Sequence, residues 1–299
     1  SGNFRFDIWW RIVLNHNAYI IPHPEVKLKT KSVWYSRAVE YLNDLNNKQK
    51  EAALTIAGPV LIVAGAGAGK TKTIISRITH LIKNGVAPKH ILAVTFTNKA
   101  AKEMTNRLVV ALGSDKSLQG EKLPFASTFH ALGVHILRGH AQIIGLNRFF
   151  TILDRDESLA LIKTAMDQAG VDKKQYEARK ILGAISREKG KGIRIAEYHL
   201  KVEGFWQEIV ASVWEKYDKL AHEANALDFD DLLLSTVLLL AGHEEIRNLY
   251  QDRFRYIHID EYQDTNNVQY SLAKLLVGPA KNICVVGDVD QSIYSWRGA

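Results

Sequence analysis

The stretch 60–73, VLIVAGAGAGKTKT, constrains this chain more than any other. Its four leading apolar residues read as a short β-strand buried on both faces. Small residues follow, then Lys70-Thr71, and from Lys72 the segment KTIISRITHLIKNG has helical spacing and a stop at Gly85. A buried strand feeding a helix through a loop of small residues suits a phosphate. Backbone N–H groups turn inward, and the helix N-terminus adds partial positive charge. Lys70 can reach β and γ phosphates, and the Thr71 hydroxyl can ligate Mg²⁺. Ala64, Gly65, Ala66, Gly67, Ala68, Gly69, Lys70 and Thr71 are therefore candidate phosphate-binding residues. Ala64 stands where the strict pattern has glycine. The alternative is a glycine-rich turn that only joins strand to helix.

Further strands and helices alternate along the chain. ILAVTF (91–96) and FAST (125–128) predict two more strands, and FRYIHIDEYQD (254–264) and NICVVGD (282–288) another two. NKAAKEMTNRLVVALG predicts a helix with Asn98 as its N-cap and Gly113 as its stop. This rhythm implies α/β with a parallel sheet. Residues 147–225 are charged and helix-patterned, with no strand of the buried kind, and read as an inserted helical subdomain. Residues 1–42 are oddly aromatic and carry no legible role.

Composition limits the setting. The formal net charge of +7 leans toward a polyanionic partner, though a mildly basic enzyme fits equally well. The single cysteine, Cys284, rules out an intrachain disulfide and a cysteine zinc site. It fits a reducing, cytoplasmic setting and reads as an inert buried thiol. LLLSTVLLLAG (232–242) is too short to span a bilayer, so no membrane association is expected.

Two later strand ends carry chemistry. Asp260 and Glu261 close an apolar strand, where a phosphate-loop site needs one carboxylate for Mg²⁺ and another to orient the attacking water. Such a pair alone often just caps the next helix. In VVGDVDQSIYSWRGA, Gln291 can sense a γ-phosphate. Tyr294, Trp296 and Arg297 put two aromatics and a guanidinium on one loop, which suits stacking on single-stranded nucleic acid. The competing reading buries both rings beneath the loop. LDFDDLL invites a metal-nuclease reading through Asp228, Asp230 and Asp231. Carboxylates favoured at a helix N-terminus explain them better.

Taken in order, LNNKQKEAAL (45–54), AGAGAGKTKT, AVTFTNKAAKEM (93–104), STFHALG (127–133), LDFDDLL (227–233), IDEYQDTNNVQY (259–270) and VVGDVDQSIYSWRGA (285–299) resemble the motif series of UvrD/Rep/PcrA-type superfamily 1 DNA helicases. The resemblance covers residue 43 onward. It implies a RecA-like motor domain at 43–146 and 226–299, interrupted by the helical subdomain at 147–225. It also implies ATP with Mg²⁺, single-stranded and duplex-junction DNA, and 3′ to 5′ translocation in repair or replication, with proteins of those pathways as further partners. By resemblance Gln49 reads the adenine, Lys72 takes the place of an arginine in the nucleotide site, Thr71 and Asp260 hold Mg²⁺, and Glu261 activates water. Lys70 and Gln291 complete the catalytic set. Phe96, Asn98, Phe129 and His130 contact the DNA strand, with Tyr294, Trp296 and Arg297 as the stacking loop. A second motor domain with an arginine finger is expected outside these 299 residues. A GTPase is a poorer fit, because Asn98-Lys99-Ala100-Ala101 lacks the aspartate of a guanine reader. A small-molecule kinase would want a lid and acceptor pocket. A DNA-binding module with a vestigial ATP site is the non-enzymatic alternative.

Overall fold

The computed structural model describes residues 19–20, 40–113 and 123–288. They fall into two compact units. The first holds 19–20, 40–113, 123–127, 251–263 and 277–288, and the second 128–250 and 264–276.

The first unit is built on a sheet of order β1-β2-β8-β7-β3-β4. Its strands are β1 (Tyr19–Ile20), β2 (Val60–Val63), β3 (Ile91–Thr95), β4 (Phe125–Thr128), β7 (Tyr256–Ile259) and β8 (Ile283–Gly287). β2, β8, β7 and β3 pair in parallel, as the alternating pattern predicted. β1 was not foreseen. It adds an antiparallel edge, Tyr19 opposite Val63 and Ile20 opposite Ile62. A strand of two residues has too little sequence for a period to show. Parallel register sends the chain out of β2, β3, β7 and β8 at one edge of the sheet, which is where ligands bind in open α/β folds.

Three helices matter most here: α2 (Asn47–Leu54), α3 (Lys70–Lys83) and α4 (Asn98–Leu112). α3 buries Ile74, Ile78 and Leu81 against strand residues Val60, Ile62, Cys284 and Val286. Burying each such aliphatic side chain contributes about 1.5–3 kcal/mol. α2 begins with a capping box: the Asn46 side chain accepts from the Gln49 N–H, and the Gln49 side chain accepts from the Asn46 N–H. Buried Arg77 on α3 ties the two helices together by donating to the carbonyls of Ala52 and Thr55 at the end of α2. Those carbonyls carry the negative end of the helix dipole, which suits a guanidinium. At α4 the cap is Thr97, whose hydroxyl accepts from the Ala100 N–H, and Asn98 is the first helical residue. The prediction of Asn98 as N-cap is thus off by one, because either residue type can cap and Thr97 is the one left in extended backbone. The stop at Gly113 is found as expected.

The second unit is almost wholly helical. It contains α5 (Phe129–Gly139), α6 (Arg155–Gln168), α7 (Ala178–Gly190), α8 (Ile195–His199), α9 (Phe205–Glu223), α10 (Phe229–Gly242), α11 (Glu244–Arg253) up to Tyr250, and α12 (Asn267–Leu276). Helices α6 to α9 close around Ile162, Ile181, Ile185, Trp214 and Tyr217. The ends of the helical stretch meet in a short parallel pair, β5 (Thr151–Ile152) beside β6 (Ala226–Leu227). Among the described residues, no helix is long and apolar enough to cross a membrane.

Candidate nucleotide site

The loop after β2 is pinned at both ends. The Ala64 N–H donates to the Gly287 carbonyl at 3.1 Å, and the Ala68 N–H to the Gly65 carbonyl at 3.2 Å. Gly69 caps α3 in left-handed backbone, φ +77°, and a β-carbon there would lie 2.8 Å from the Gln49 amide nitrogen. Only glycine satisfies both conditions. Space beside Gly65 and Gly67 is open, as an anion cradle requires.

Gln49 donates through its amide nitrogen to the Ala68 carbonyl at 2.8 Å. The helix expected to read the base is therefore fastened to the phosphate loop. Lys72 instead points to the segment before α2, bonding the Asp44 carbonyl at 3.0 Å.

Lys70 lies across the loop. Its ammonium donates to the Ala64 carbonyl at 3.1 Å and to the Asp288 carboxylate at 3.2 Å. The two side chains are only 10% and 4% exposed. Sequence reading did not single out Asp288. Its only sequence cue was a polar residue directly after a buried strand.

Thr71 and Asp260 stand together, the hydroxyl donating to the carboxylate at 3.3 Å. Burial, then the neighbouring Glu261 charge, pushes the Asp260 carboxyl up from its usual range. A carboxylate short of positive charge beside a hydroxyl oxygen is a donor set for a hard divalent cation. These residues fit Mg²⁺, and the cradle above them fits a polyphosphate. Glu261 sits at φ +52°, a conformation uncommon for a residue with a side chain. Its N–H donates to Asp260, and its carboxylate accepts from the Gln263 amide at 2.8 Å.

The strand-contact candidates divide between the units. In the first, Phe96 follows β3 half-buried, and Asn98 is exposed at the start of α4. In the second, Phe129 is only 3% exposed. It packs in the core and offers no face to a base, so the reading of this motif passes to its neighbour. His130 makes an edge contact with Phe229, ring centroids 5.5 Å apart, and Phe229 is 52% exposed. Phe229 is an aromatic that sequence reading missed. It was hidden among carboxylates that were being weighed as metal ligands. Gln291, Tyr294, Trp296 and Arg297 lie outside the described residues.

The carboxylates of LDFDDLL act as expected of a helix start. Asp228 caps α10 by accepting from the Asp231 N–H. They also surround a buried ammonium: Lys189 lies 2.7 Å from Asp231, 3.1 Å from Asp228 and 3.4 Å from Asp218. Among the described residues, no cluster of three or more His, Cys, Asp or Glu side chains able to hold a metal ion is found, there or elsewhere. Cys284 is fully buried, and burial raises its thiol pKa, as befits an inert core residue.

Residues 45–299 match the model of the UvrD/REP helicase N-terminal domain. The chain belongs to that family. It is 44% identical over 259 residues to an ATP-dependent DNA helicase PcrA of Staphylococcus aureus, covering 86% of this chain and 35% of the relative. The relatives of the same name from Leuconostoc citreum and Staphylococcus epidermidis are likewise 44% identical over 86% of the chain. The chain thus spans about a third of the length of these relatives.

Proposed function

We propose that this chain is the nucleotide-binding part of an ATP-driven DNA helicase that moves 3′ to 5′ along single-stranded DNA. The observation that carries the reading is the convergence of Lys70, Thr71, Asp260 and Glu261 at one edge of the sheet. The relatives' name, ATP-dependent DNA helicase, supports it. The motor domain comprises 43–146 and 226–299, with 147–225 inserted, and the parallel pair β5–β6 at the two ends of the insertion supports that division. Residues 1–42 lie outside it.

When bound, ATP supplies the phosphoanhydride to be cleaved and Mg²⁺ neutralises its oxygens. The protein's own part is positioning and electrostatics. The loop 64–69 and the α3 N-terminus offer backbone N–H groups to the phosphates. Lys70 turns from Asp288 to the β and γ oxygens, Thr71 and Asp260 hold the cation, and Glu261 orients water and accepts its proton. Gln49 reads the adenine, with Lys72 beside the nucleotide, and Gln291 senses the γ-phosphate. On the DNA side, the resemblance assigns strand contacts to Phe96, Asn98, His130, Tyr294, Trp296 and Arg297, and exposed Phe229, in edge contact with His130, is added to them.

The test is hydrolysis by the purified 299-residue chain with and without single-stranded oligonucleotide, beside binding of Mg-ATP and of the oligonucleotide. Both ligands should bind, turnover should be slow and no duplex should be displaced. An arginine finger contributes roughly 10³–10⁵ in rate in such enzymes, and by resemblance it comes from a second motor domain. Failure to bind Mg-ATP would overturn the nucleotide reading, and failure to bind the oligonucleotide the DNA reading. Rapid hydrolysis by this chain would place the finger within these residues.

A further inference from the structure

Between the strand end that carries Glu261 and the strand end that carries Asp288 lies one side chain, Gln263. Its amide nitrogen donates to the Glu261 carboxylate at 2.8 Å, and its amide oxygen accepts the Asp288 N–H at 3.0 Å. A carboxylate or a hydrocarbon of the same size could not make both bonds, because one contact needs a donor and the other an acceptor. Gly287 makes the approach possible: a β-carbon there would stand 2.9 Å from the Gln263 amide oxygen. A hydrogen-bonded circuit results. It runs from Thr71 to Asp260, from Asp260 to the Glu261 N–H, from the Glu261 carboxylate to Gln263, and on to Asp288, which meets Lys70.

We propose that Gln263 is a positioning residue for hydrolysis, fixing the Glu261 carboxylate against the backbone of Asp288. The proposal rests on the nucleotide reading above. Glu261 is held at its backbone by Asp260, and its side chain, with three rotatable bonds, is aimed among the described residues by the contact to Gln263. Fixing a glutamate costs it rotamer freedom, and a prior hydrogen bond lowers what remains to be lost in the reaction. The left-handed backbone of Glu261 fits the same purpose, since strained conformations persist where the surroundings over-determine a side chain's direction. Gln263 touches neither cation nor phosphate in this scheme. Its loss should therefore appear in turnover and leave ground-state affinity alone. A misplacement of about 1 Å at a reacting group can cost on the order of 10²-fold in rate.

The experiment uses the 299-residue chain and three variants, Gln263→Ala, Gln263→Glu and Gly287→Ala. Mg-ATP affinity is read by calorimetry, slow hydrolysis by radiolabelled phosphate release at saturating ATP, and the exchange rate of the Asp288 amide hydrogen without nucleotide. The Gln263 variants should bind Mg-ATP within about twofold of the parent and hydrolyse it at least tenfold more slowly. Gly287→Ala, which leaves Gln263 in the sequence but pushes its oxygen away, should show the same split. Asp288 amide exchange should quicken in all three, and stay unchanged in Glu261→Gln, whose amide oxygen still accepts from Gln263. Hydrolysis within threefold of the parent, with binding intact, overturns the role of Gln263. So does a parallel loss of affinity and rate, which would mark a structural residue only. If the parent chain itself binds no Mg-ATP, the nucleotide reading fails, and the proposal with it, whatever the exchange rates show.

Discussion

Removing the Asp288 carboxylate should make ATP bind more tightly, which is the opposite of what deleting an acid from a nucleotide site normally suggests. Without nucleotide, Lys70 is engaged by Asp288 at 3.2 Å and by the Ala64 carbonyl at 3.1 Å, in a place where neither charged side chain is more than 10% exposed. To meet a phosphate, the ammonium must give up the carboxylate. A hydrogen bond to a charged group contributes about 1.5–3 kcal/mol, so the exchange subtracts about that much from the affinity the phosphates alone would give. The abandoned carboxylate would also face the incoming anion. Asp288→Ala removes both costs and keeps the backbone N–H that Gln263 accepts. With part of the loss recovered by relaxation, about 1.4 kcal/mol should remain, which is roughly a tenfold tighter dissociation constant. Calorimetric titration of Mg-ATP into parent and variant reads this directly. The variant without ligand should melt lower, since Lys70 is left buried without its counter-charge, and its melting temperature should rise more on adding ATP. Pairing it with Lys70→Ala in a double-mutant cycle isolates the Lys70–Asp288 coupling. Unchanged or weaker affinity in a folded Asp288→Ala chain would refute the argument, because Lys70 would then hold Asp288 and the phosphates together.

Three further outcomes are expected. Lys70→Ala should lower Mg-ATP affinity at least tenfold by calorimetry, since each charge-assisted phosphate contact contributes about 1.5–3 kcal/mol; an unchanged affinity in a folded variant would remove Lys70 from the site. Burial, opposed by Lys189 and reinforced by the Asp228 and Asp218 charges, pushes the Asp231 carboxyl up to about 8. The folded chain thus holds a proton that the unfolded chain releases in the ordinary carboxylate range. That contribution to stability is full below about pH 4 and is lost progressively as pH rises to about 8, so the parent should lose melting temperature between about pH 5 and pH 8 more steeply than Asp231→Asn. Equal slopes would mean the cluster carries no proton. Trp296→Ala should weaken binding of single-stranded oligonucleotides by about 1–3 kcal/mol in a fluorescence titration while leaving Mg-ATP affinity nearly unchanged; equal DNA affinity would return Trp296 to the core.

The parts of the fold that were legible in sequence are those where one local rule suffices. VLIV and ILAV are continuous apolar runs, and they form strands buried in a parallel sheet. The loop from β2 to α3 was legible because its small residues, Lys70 and Thr71 form one contiguous string between a buried strand and a helix. What stayed hidden depends on residues far apart in sequence. Lys70 and Asp288 are separated by 218 positions, and Lys189 and Asp228 by 39. No periodicity marks either pair. Phe129 shows the converse error. An aromatic in a motif of the resembled family reads as a contact, yet at the start of α5 the ring turns inward and His130 takes the outer position.

Gln263 lies between these two cases, and it shows why a motif can be legible while its physics is not. The string Asp260-Glu261-Tyr262-Gln263 is local, and two of its members could be assigned chemistry from residue type alone. The third could not, because an amide has no charge to suggest a role. Its role is visible only when a glycine 24 positions later is found to leave room for its oxygen. Two of the groups that Gln263 meets are the Glu261 carboxylate and the Asp288 backbone N–H, and an amide serves both without adding charge to a site already crowded with carboxylates. A glutamate at 263 would set three acids within four residues and raise the cost of ionising the one that has to accept a proton. Choosing a neutral, two-ended side chain beside Asp260 and Glu261 is therefore what the electrostatics of the site demand, and it follows from the same burial that leaves Asp260 in want of a cation.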